Sequence, residues 1–104
     1  MAIAEISIVP LGTKTPSVSK YVTKVLDVLE RDGVKYELTS MGTIIEGDAE
    51  VILSLVGKMH EAAFGMGASR IVTTLKIDDR RDKVTSAGYK IESVKQKLSK
   101  IHKR

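Results

Sequence analysis

Four segments of the chain carry the apolar pattern of β-strands. Residues 2–9, 35–39 and 70–77 alternate between apolar and polar side chains, and residues 43–46 form a short, mainly apolar run. Pro10 and Gly12 are expected to end the first strand. Only residues 40–42 separate the second segment from the third, which predicts a hairpin.

Three further segments repeat apolar residues at every third or fourth position, which predicts three helices. The first begins after Thr15 as N-cap, with Pro16 at its first position, and ends at Gly33. Asp48 can cap the second helix, and Gly65 and Gly67 close it. The third has a narrow apolar seam, which suits either a partner or the chain's own domain. That seam consists of Ala87, Ile91, Val94, Leu98 and Ile101.

The order of these elements predicts the fold. Strand, helix, strand, strand, helix and strand, followed by one more helix, is the split βαβ arrangement of ferredoxin-like domains. We therefore expect an α+β protein with a four-stranded antiparallel sheet, two helices on one face and an open opposite face. A chain of 104 residues fits a single domain over residues 1–104.

Composition indicates the cellular compartment and the kinds of partner that suit such a domain. The chain has no cysteine, which excludes disulfides and thiolate sites and fits a cytoplasmic protein. The apolar start of the chain is short and contains Glu5, so we expect neither an export signal nor a membrane span. The net charge is +4, and the basic excess lies in residues 80–104, typical of a solvated helix face or of an anion-binding segment.

Polar residues on the predicted open face are the first candidates for a site. Glu5 and Ser7 share one face of the first strand. From the fourth strand, either Thr74 and Lys76 or Thr73 and Leu75 lie on the same face. The pattern fits a pocket for a polar ligand, but the pattern alone favours a solvated surface on which Glu5 pairs with Lys76.

Basic residues offer a second candidate site. Arg70, Lys76, Arg80 and Arg81 could hold an anion by charge-assisted hydrogen bonds, although solvated side chains give the same pattern. The junction of residues 43–48 leads into a helix N-terminus, where free N–H groups attract anions, but capping by Asp48 explains it as well.

The sequence lacks the motifs of the common catalytic and cofactor sites. His60 and His102 have no acidic or serine partners at a metal or triad spacing, and no phosphate-binding glycine loop is present. We therefore predict no catalysis, no metal and no cofactor. An enzyme with Glu5, Glu46 or His60 as general base is the weaker alternative.

Nucleic-acid binding is a further alternative, because RNA-recognition motifs share the predicted topology and the chain is basic. Those motifs stack bases on aromatic residues of the first and third strands. Neither strand carries an aromatic residue here, which argues against specific recognition and leaves weak phosphate binding by the basic helix.

Three segments resemble a family of short proteins related to thiamine-binding and hydroxymethylpyrimidine-binding proteins. They are residues 4–12 (AEISIVPLG), 41–47 (MGTIIEG) and 67–80, from GASRI to IDDR. The resemblance implies a ferredoxin-like fold, dimers that pair into tetramers, and a thiamine-like or pyrimidine-like ligand or another effector bound without catalysis. A regulatory or structural oligomer that binds an anionic effector stays open.

The resemblance also implies which residues form the pocket. They are Ser7, Pro10, Thr43 and Glu46, with Arg70, Lys76 and Arg80 as anion contacts. Under this hypothesis Glu46 or Glu5 accepts a hydrogen bond from an aminopyrimidine, and the hydroxyls orient it. Tyr89 either stacks on the ligand or only packs.

Overall fold

The computed structural model describes residues 1–12, 19–82 and 87–102. Its element order confirms the predicted fold class, with the additional helix after the fourth strand. The predicted cap at Thr15 and Pro16 lies outside the described residues. The elements are β1 (Ala2–Leu11), α1 (Ser19–Arg31), β2 (Tyr36–Leu38), β3 (Thr43–Gly47), α2 (Ala49–Phe64), β4 (Arg70–Asp79) and α3 (Ala87–His102).

The sheet has the strand order β2-β3-β1-β4, with every neighbouring pair antiparallel. β1 pairs with β4 along its whole length, from Ala2 opposite Asp79 to Leu11 opposite Arg70. Its pairing with β3 stops at Ile6, which lies opposite Thr43. Among the described residues, no strand lies beside the second half of β1 on that edge.

The two faces of the sheet differ as the alternation predicts. The apolar face of β1 packs with Ile45 of β3 against α1 and α2, and the core includes Ile6, Leu29, Ile52 and Met59. Glu5 and Ser7 lie on the opposite, open face. Lys76 is opposite Glu5 and Thr74 is opposite Ser7, so these two residues of β4 share the open face.

One predicted boundary and one predicted cap contact differ from the structure. Pro10 does not end β1, which continues to Leu11. A proline is tolerated there because β3 does not extend to that part of the edge, so no strand needs its missing N–H. Asp48 is the N-cap of α2 but makes no side-chain cap bond; its carbonyl instead accepts the Ile52 N–H at 3.0 Å. Gly33 ends α1 as predicted, with φ of +67°.

The apolar seam of α3 is not buried by the chain's own domain. Ile91, Val94, Leu98 and Ile101 are between 49% and 61% exposed. The molecule is elongated, 55 Å in its longest dimension and 20 Å in its shortest. The seam was expected to pack either on a partner or on the chain's own domain. Within the single chain the second packing is not formed.

Candidate functional site

A cleft of about 560 Å³ opens where β3 begins, and we call it the β1–α1 cleft. The second half of β1, the first half of α1 and the loop between β2 and β3 form its walls, and Met59 of α2 lies at its base. Its volume is in the range of small-molecule sites. The lining residues are Ile6, Ser7, Ile8, Val9, Ser19, Val22, Thr23, Val25, Leu26, Leu38, Thr39, Ser40, Met41, Gly42, Thr43 and Met59.

The loop that forms one wall is held by Thr39. Its N–H donates to the Gly42 carbonyl at 2.8 Å, and its Oγ1 accepts the N–H groups of Met41 and Gly42 at 3.2 and 3.1 Å. Gly42 lies so close to β1 that a Cβ added to it would be 2.8 Å from the Ile6 carbonyl oxygen. The hairpin loop is thereby fixed against the edge of β1.

Thr43 is the polar residue of the core in the part of the chain that the structure describes. It is 5% exposed and lines the cleft. No hydrogen bond joins its hydroxyl to any residue in the described ranges. No buried side-chain polar atom among the described residues lacks a partner, so the Thr43 hydroxyl keeps some contact with solvent and is accessible to a ligand that enters the cleft.

The electrostatic character of the cleft follows from its lining. Within residues 1–12, 19–82 and 87–102 no charged side chain lines it. Its polar lining residues are Ser7, Ser19, Thr23, Thr39, Ser40 and Thr43, of which Ser7 has its side chain on the open face of the sheet. Thr23 donates its hydroxyl to the Ser19 carbonyl at 2.8 Å, so part of this set is already used within α1. An apolar cleft with a few hydroxyls suits an uncharged ligand with polar edges.

The structure brings together two of the five predicted ligand-binding residues. Ser7 and Thr43 both line the β1–α1 cleft. Pro10 is buried on the helix-covered face of β1 and is not part of that lining. Glu5 and Glu46 are exposed on the open face, so neither carboxylate lies in the cleft with the hydroxyls.

Glu5 instead belongs to a shallower depression of about 290 Å³ on the open face. Ile3, Ile44 and Lys76 line it with Glu5, and Lys90 at the start of α3 forms an ion pair with Asp78 at its rim. This ion pair connects α3 to the open face of the sheet.

The three predicted anion contacts do not form one site within a single chain. Arg70 and Arg80 lie at opposite ends of β4, about 33 Å apart at roughly 3.3 Å per residue, and Lys76 lies between them. Arg80 also forms an ion pair with Asp82, at 2.6 Å between Nε and Oδ1. Arg81 donates two hydrogen bonds to Asp79, which hold the pKa of that carboxyl below its ordinary value.

A depression of about 630 Å³ along α1 shares Ser19, Thr23 and Leu26 with the β1–α1 cleft but has a different character. Lys20, Lys24 and Asp27 line it, and the Tyr36 hydroxyl donates to Glu30 Oε1 at 2.7 Å. That hydrogen bond to a carboxylate raises the pKa of Tyr36. These charges are solvated, and we find no buried polar group there comparable to Thr43 among the residues the structure describes.

Sequence reasoning missed several parts of the cleft. It did not identify the α1 hydroxyls, the Thr39 loop or the free edge of β1 at Ile8. The spacing Thr39-x-x-Gly42 is a signal for the loop, because a threonine side chain can bond to peptide groups two and three residues ahead. The α1 hydroxyls give no signal in isolation, since Ser19 and Thr23 look like ordinary surface positions of a helix.

Comparison with known proteins shows the family. Residues 4–95 match the model of a family described as thiamine-binding protein. The chain belongs to this family. The UPF0045 protein YqgV of Bacillus subtilis is 47% identical over 102 residues, which cover 94% of this chain and 98% of YqgV. A UPF0045 protein of Methanothermobacter thermautotrophicus is 42% identical, over 94% of this chain and all of its own length.

Solved structures that are similar to this chain have the same fold. The hypothetical protein MJ1052 of Methanocaldococcus jannaschii superposes with a TM-score of 0.80 at 40% identity, covering 89% of this chain and 94% of MJ1052. A Thermotoga maritima protein, TM0486, named a candidate thiamine biosynthesis/salvage protein, has a TM-score of 0.75 at 22% identity over 89% of this chain and 97% of its own. The latter supports the fold alone.

Within the described residues no helix is long and apolar enough to cross a membrane. In the same ranges no three histidine or acidic side chains are grouped so that they could hold a metal ion.

Proposed function

We propose that this member of the thiamine-binding protein family binds a small molecule of the thiamine or pyrimidine type in the β1–α1 cleft, in a binding or regulatory role without catalysis. Thr43 carries the proposal, because this polar residue of the core is 5% exposed and lines the cleft, and its hydroxyl makes no hydrogen bond to a described residue. The family match supports the choice of ligand class. Ser7, predicted as a ligand contact, lines the same cleft.

Replacing Thr43 with valine tests the site directly. Valine keeps the shape and removes the hydroxyl, so we expect the affinity for thiamine or hydroxymethylpyrimidine to fall about tenfold, the loss of roughly one hydrogen bond. The free energy of unfolding should stay the same or rise slightly, because the hydroxyl has no partner in the free protein. Calorimetric titration and urea denaturation measure the two quantities.

Thr74 provides the matched control, since it is a threonine in the same sheet but lies exposed on the open face. Thr74→Val should leave the affinity unchanged. Equal losses of affinity in both variants would place the ligand elsewhere. No binding of thiamine, its phosphates or hydroxymethylpyrimidine to the wild-type protein would refute the proposed ligand class.

Self-association is the second part of the proposal. The α3 seam is about half exposed, and Val9, Leu11 and Val72 expose a further apolar area on the open face. A seam that repeats at heptad spacing packs well against another helix. A dimer that pairs further into a tetramer would cover these surfaces.

Leu98→Asp is expected to reduce the mass in solution to that of a smaller assembly, because it places a charge in the middle of the seam. Gln96→Asp is the control, since residues 96 and 98 lie about 200° apart around the helix and Gln96 is off the seam. Light scattering at matched concentrations gives the masses. An unchanged mass for Leu98→Asp would argue against assembly through α3.

A further inference from the structure

The depression of about 290 Å³ on the open face of the sheet contains two acidic and two basic side chains. Glu5, Lys76, Asp78 and Lys90 all line it. Lys90 and Asp78 form an ion pair with each other at the rim, so their charges are already balanced. One carboxylate, that of Glu5, and one ammonium group, that of Lys76, remain.

Glu5 and Lys76 do not pair, although the strand register brings them together. They lie directly opposite each other in β1 and β4. At such positions the Cβ atoms are about 4.5–5.5 Å apart, a distance that a glutamate and a lysine side chain easily bridge. Within residues 1–12, 19–82 and 87–102 no ion pair joins them, and neither side chain is hydrogen-bonded to another residue.

The direction of the Glu5 side chain explains why the pair is not formed. Its Cγ lies 3.3 Å from where a Cβ of Gly42 would be, so the side chain leans toward the hairpin loop and away from β4. Ile3 and Ile44 complete the lining with two half-buried apolar side chains. The depression therefore has a negative group and a positive group on separate sides, with an apolar surface beside them.

We infer that this depression is a second binding site, which takes a small zwitterion of the class of an apolar α-amino acid. The Glu5 carboxylate accepts hydrogen bonds from the ligand's ammonium group, and Lys76 donates to its carboxylate. Ile3 and Ile44 contact its side chain. The inference does not depend on the ligand proposed for the β1–α1 cleft, because that cleft lies beside the helices and this depression lies on the open face.

The balance of charges favours a zwitterion over a simple anion or cation. The four charged side chains of the depression sum to zero, so a ligand without net charge keeps the site neutral. An anion would gain from Lys76 but would be repelled by Glu5, and a cation would meet the reverse. A ligand with both charges makes a charge-assisted hydrogen bond to each residue.

A series of ligands tests the inference on the unmodified protein. Calorimetric titration would compare leucine with leucinamide, which lacks the carboxylate, and with 4-methylpentanoate, which lacks the ammonium group. We expect saturable binding of leucine, and at least about tenfold weaker binding of each analogue, because one charge-assisted hydrogen bond is lost. Glycine should also bind at least about tenfold more weakly, because it has no side chain to place on the apolar surface.

Two variants with a matched control assign the contacts to residues. Glu5→Gln and Lys76→Gln should each weaken leucine binding about tenfold, since each removes one charge and nearly preserves the side-chain shape. Glu37→Gln is the control, because Glu37 lies opposite Ile44 on the same open face and is exposed, but it does not line the depression. It should bind leucine like the wild type. Circular dichroism checks that all three variants are folded.

The outcomes separate this inference from the proposed function. No saturable binding of leucine, or equal binding of leucine and both analogues, would overturn the inference. An equal loss in Glu37→Gln would overturn it as well, because the effect would then come from the general charge of the open face. Binding of hydroxymethylpyrimidine is measured separately and should be unchanged in Glu5→Gln, since Glu5 does not line the β1–α1 cleft.

Discussion

Gly42→Ala is expected to lower the free energy of unfolding by about 1–3 kcal/mol and to weaken ligand binding in the β1–α1 cleft. The new Cβ would lie 2.8 Å from the Ile6 carbonyl oxygen and 3.3 Å from the Glu5 Cγ. A carboxylate side chain can move aside, but a backbone oxygen cannot move without disturbing the pairing of β1 with β3. The loop must shift instead, and its hydrogen bonds to Thr39 shift with it. Urea denaturation and calorimetric titration measure the two effects.

Gly57 is the matched control for this substitution. It lies within α2, and a Cβ added there would meet no atom within 4 Å. Gly57→Ala should raise the free energy of unfolding by about 0.5–1 kcal/mol, because alanine favours a helix over glycine. The same chemical change thus has opposite expected signs at the two sites. Gly42→Ala as stable as the wild type would contradict the close approach of the loop to β1.

The fold was predictable because the apolar pattern specifies the elements. In β1 and β4 the period of two is regular enough to assign each side chain to a face. The apolar stripe of the second helix is predicted from Ile52, Leu55, Val56, Met59, Ala63 and Met66, and the first five are buried. Met66 is the exception, since it lies beyond Gly65, where the helix has ended. The order of elements then leaves few topologies to choose from.

The site was only partly predictable, since it depends on strand lengths rather than on motifs. The cleft exists because β1 has ten residues and β3 has five, which leaves the edge at Ile8 unpaired. Pro10 looked like the end of β1, so the extra length was not anticipated. The alternation of side chains along a strand matters as well. Residues 43 and 46 are three positions apart, so their side chains point to opposite faces of the sheet.

The direction of Thr43 reverses the expected chemistry of the site. The resemblance grouped the hydroxyls with Glu5 and Glu46, which would make a carboxylate wall. Thr43 faces the helices, and both carboxylates face the open side of the sheet. If the cleft is the ligand site, as proposed, we expect its hydroxyl groups to recognise the ligand by hydrogen bonds between neutral groups rather than by charge.

Met59→Ala is expected to lower the free energy of unfolding by about 2–5 kcal/mol, the range for truncating a large buried side chain. Met59 is 1% exposed and forms the base of the cleft. Met59→Leu nearly conserves the volume and should cost less than about 1.5 kcal/mol. Met66→Ala should cost less than Met59→Ala, because Met66 is 37% exposed.

The stabilisation of these variants by bound ligand shows whether Met59 belongs only to the core or also to the ligand site. A ligand at 100 times its Kd stabilises the native state by about 2.7 kcal/mol, measured as the difference in unfolding free energy with and without it. If Met59 shapes the base of the cleft, this increment should shrink in Met59→Ala and persist in Met59→Leu and Met66→Ala. A full increment in Met59→Ala would mean that the ligand does not reach the base. Binding would then be confined to the rim formed by Ile8, Thr39 and Gly42, where the unpaired edge of β1 meets the hairpin loop.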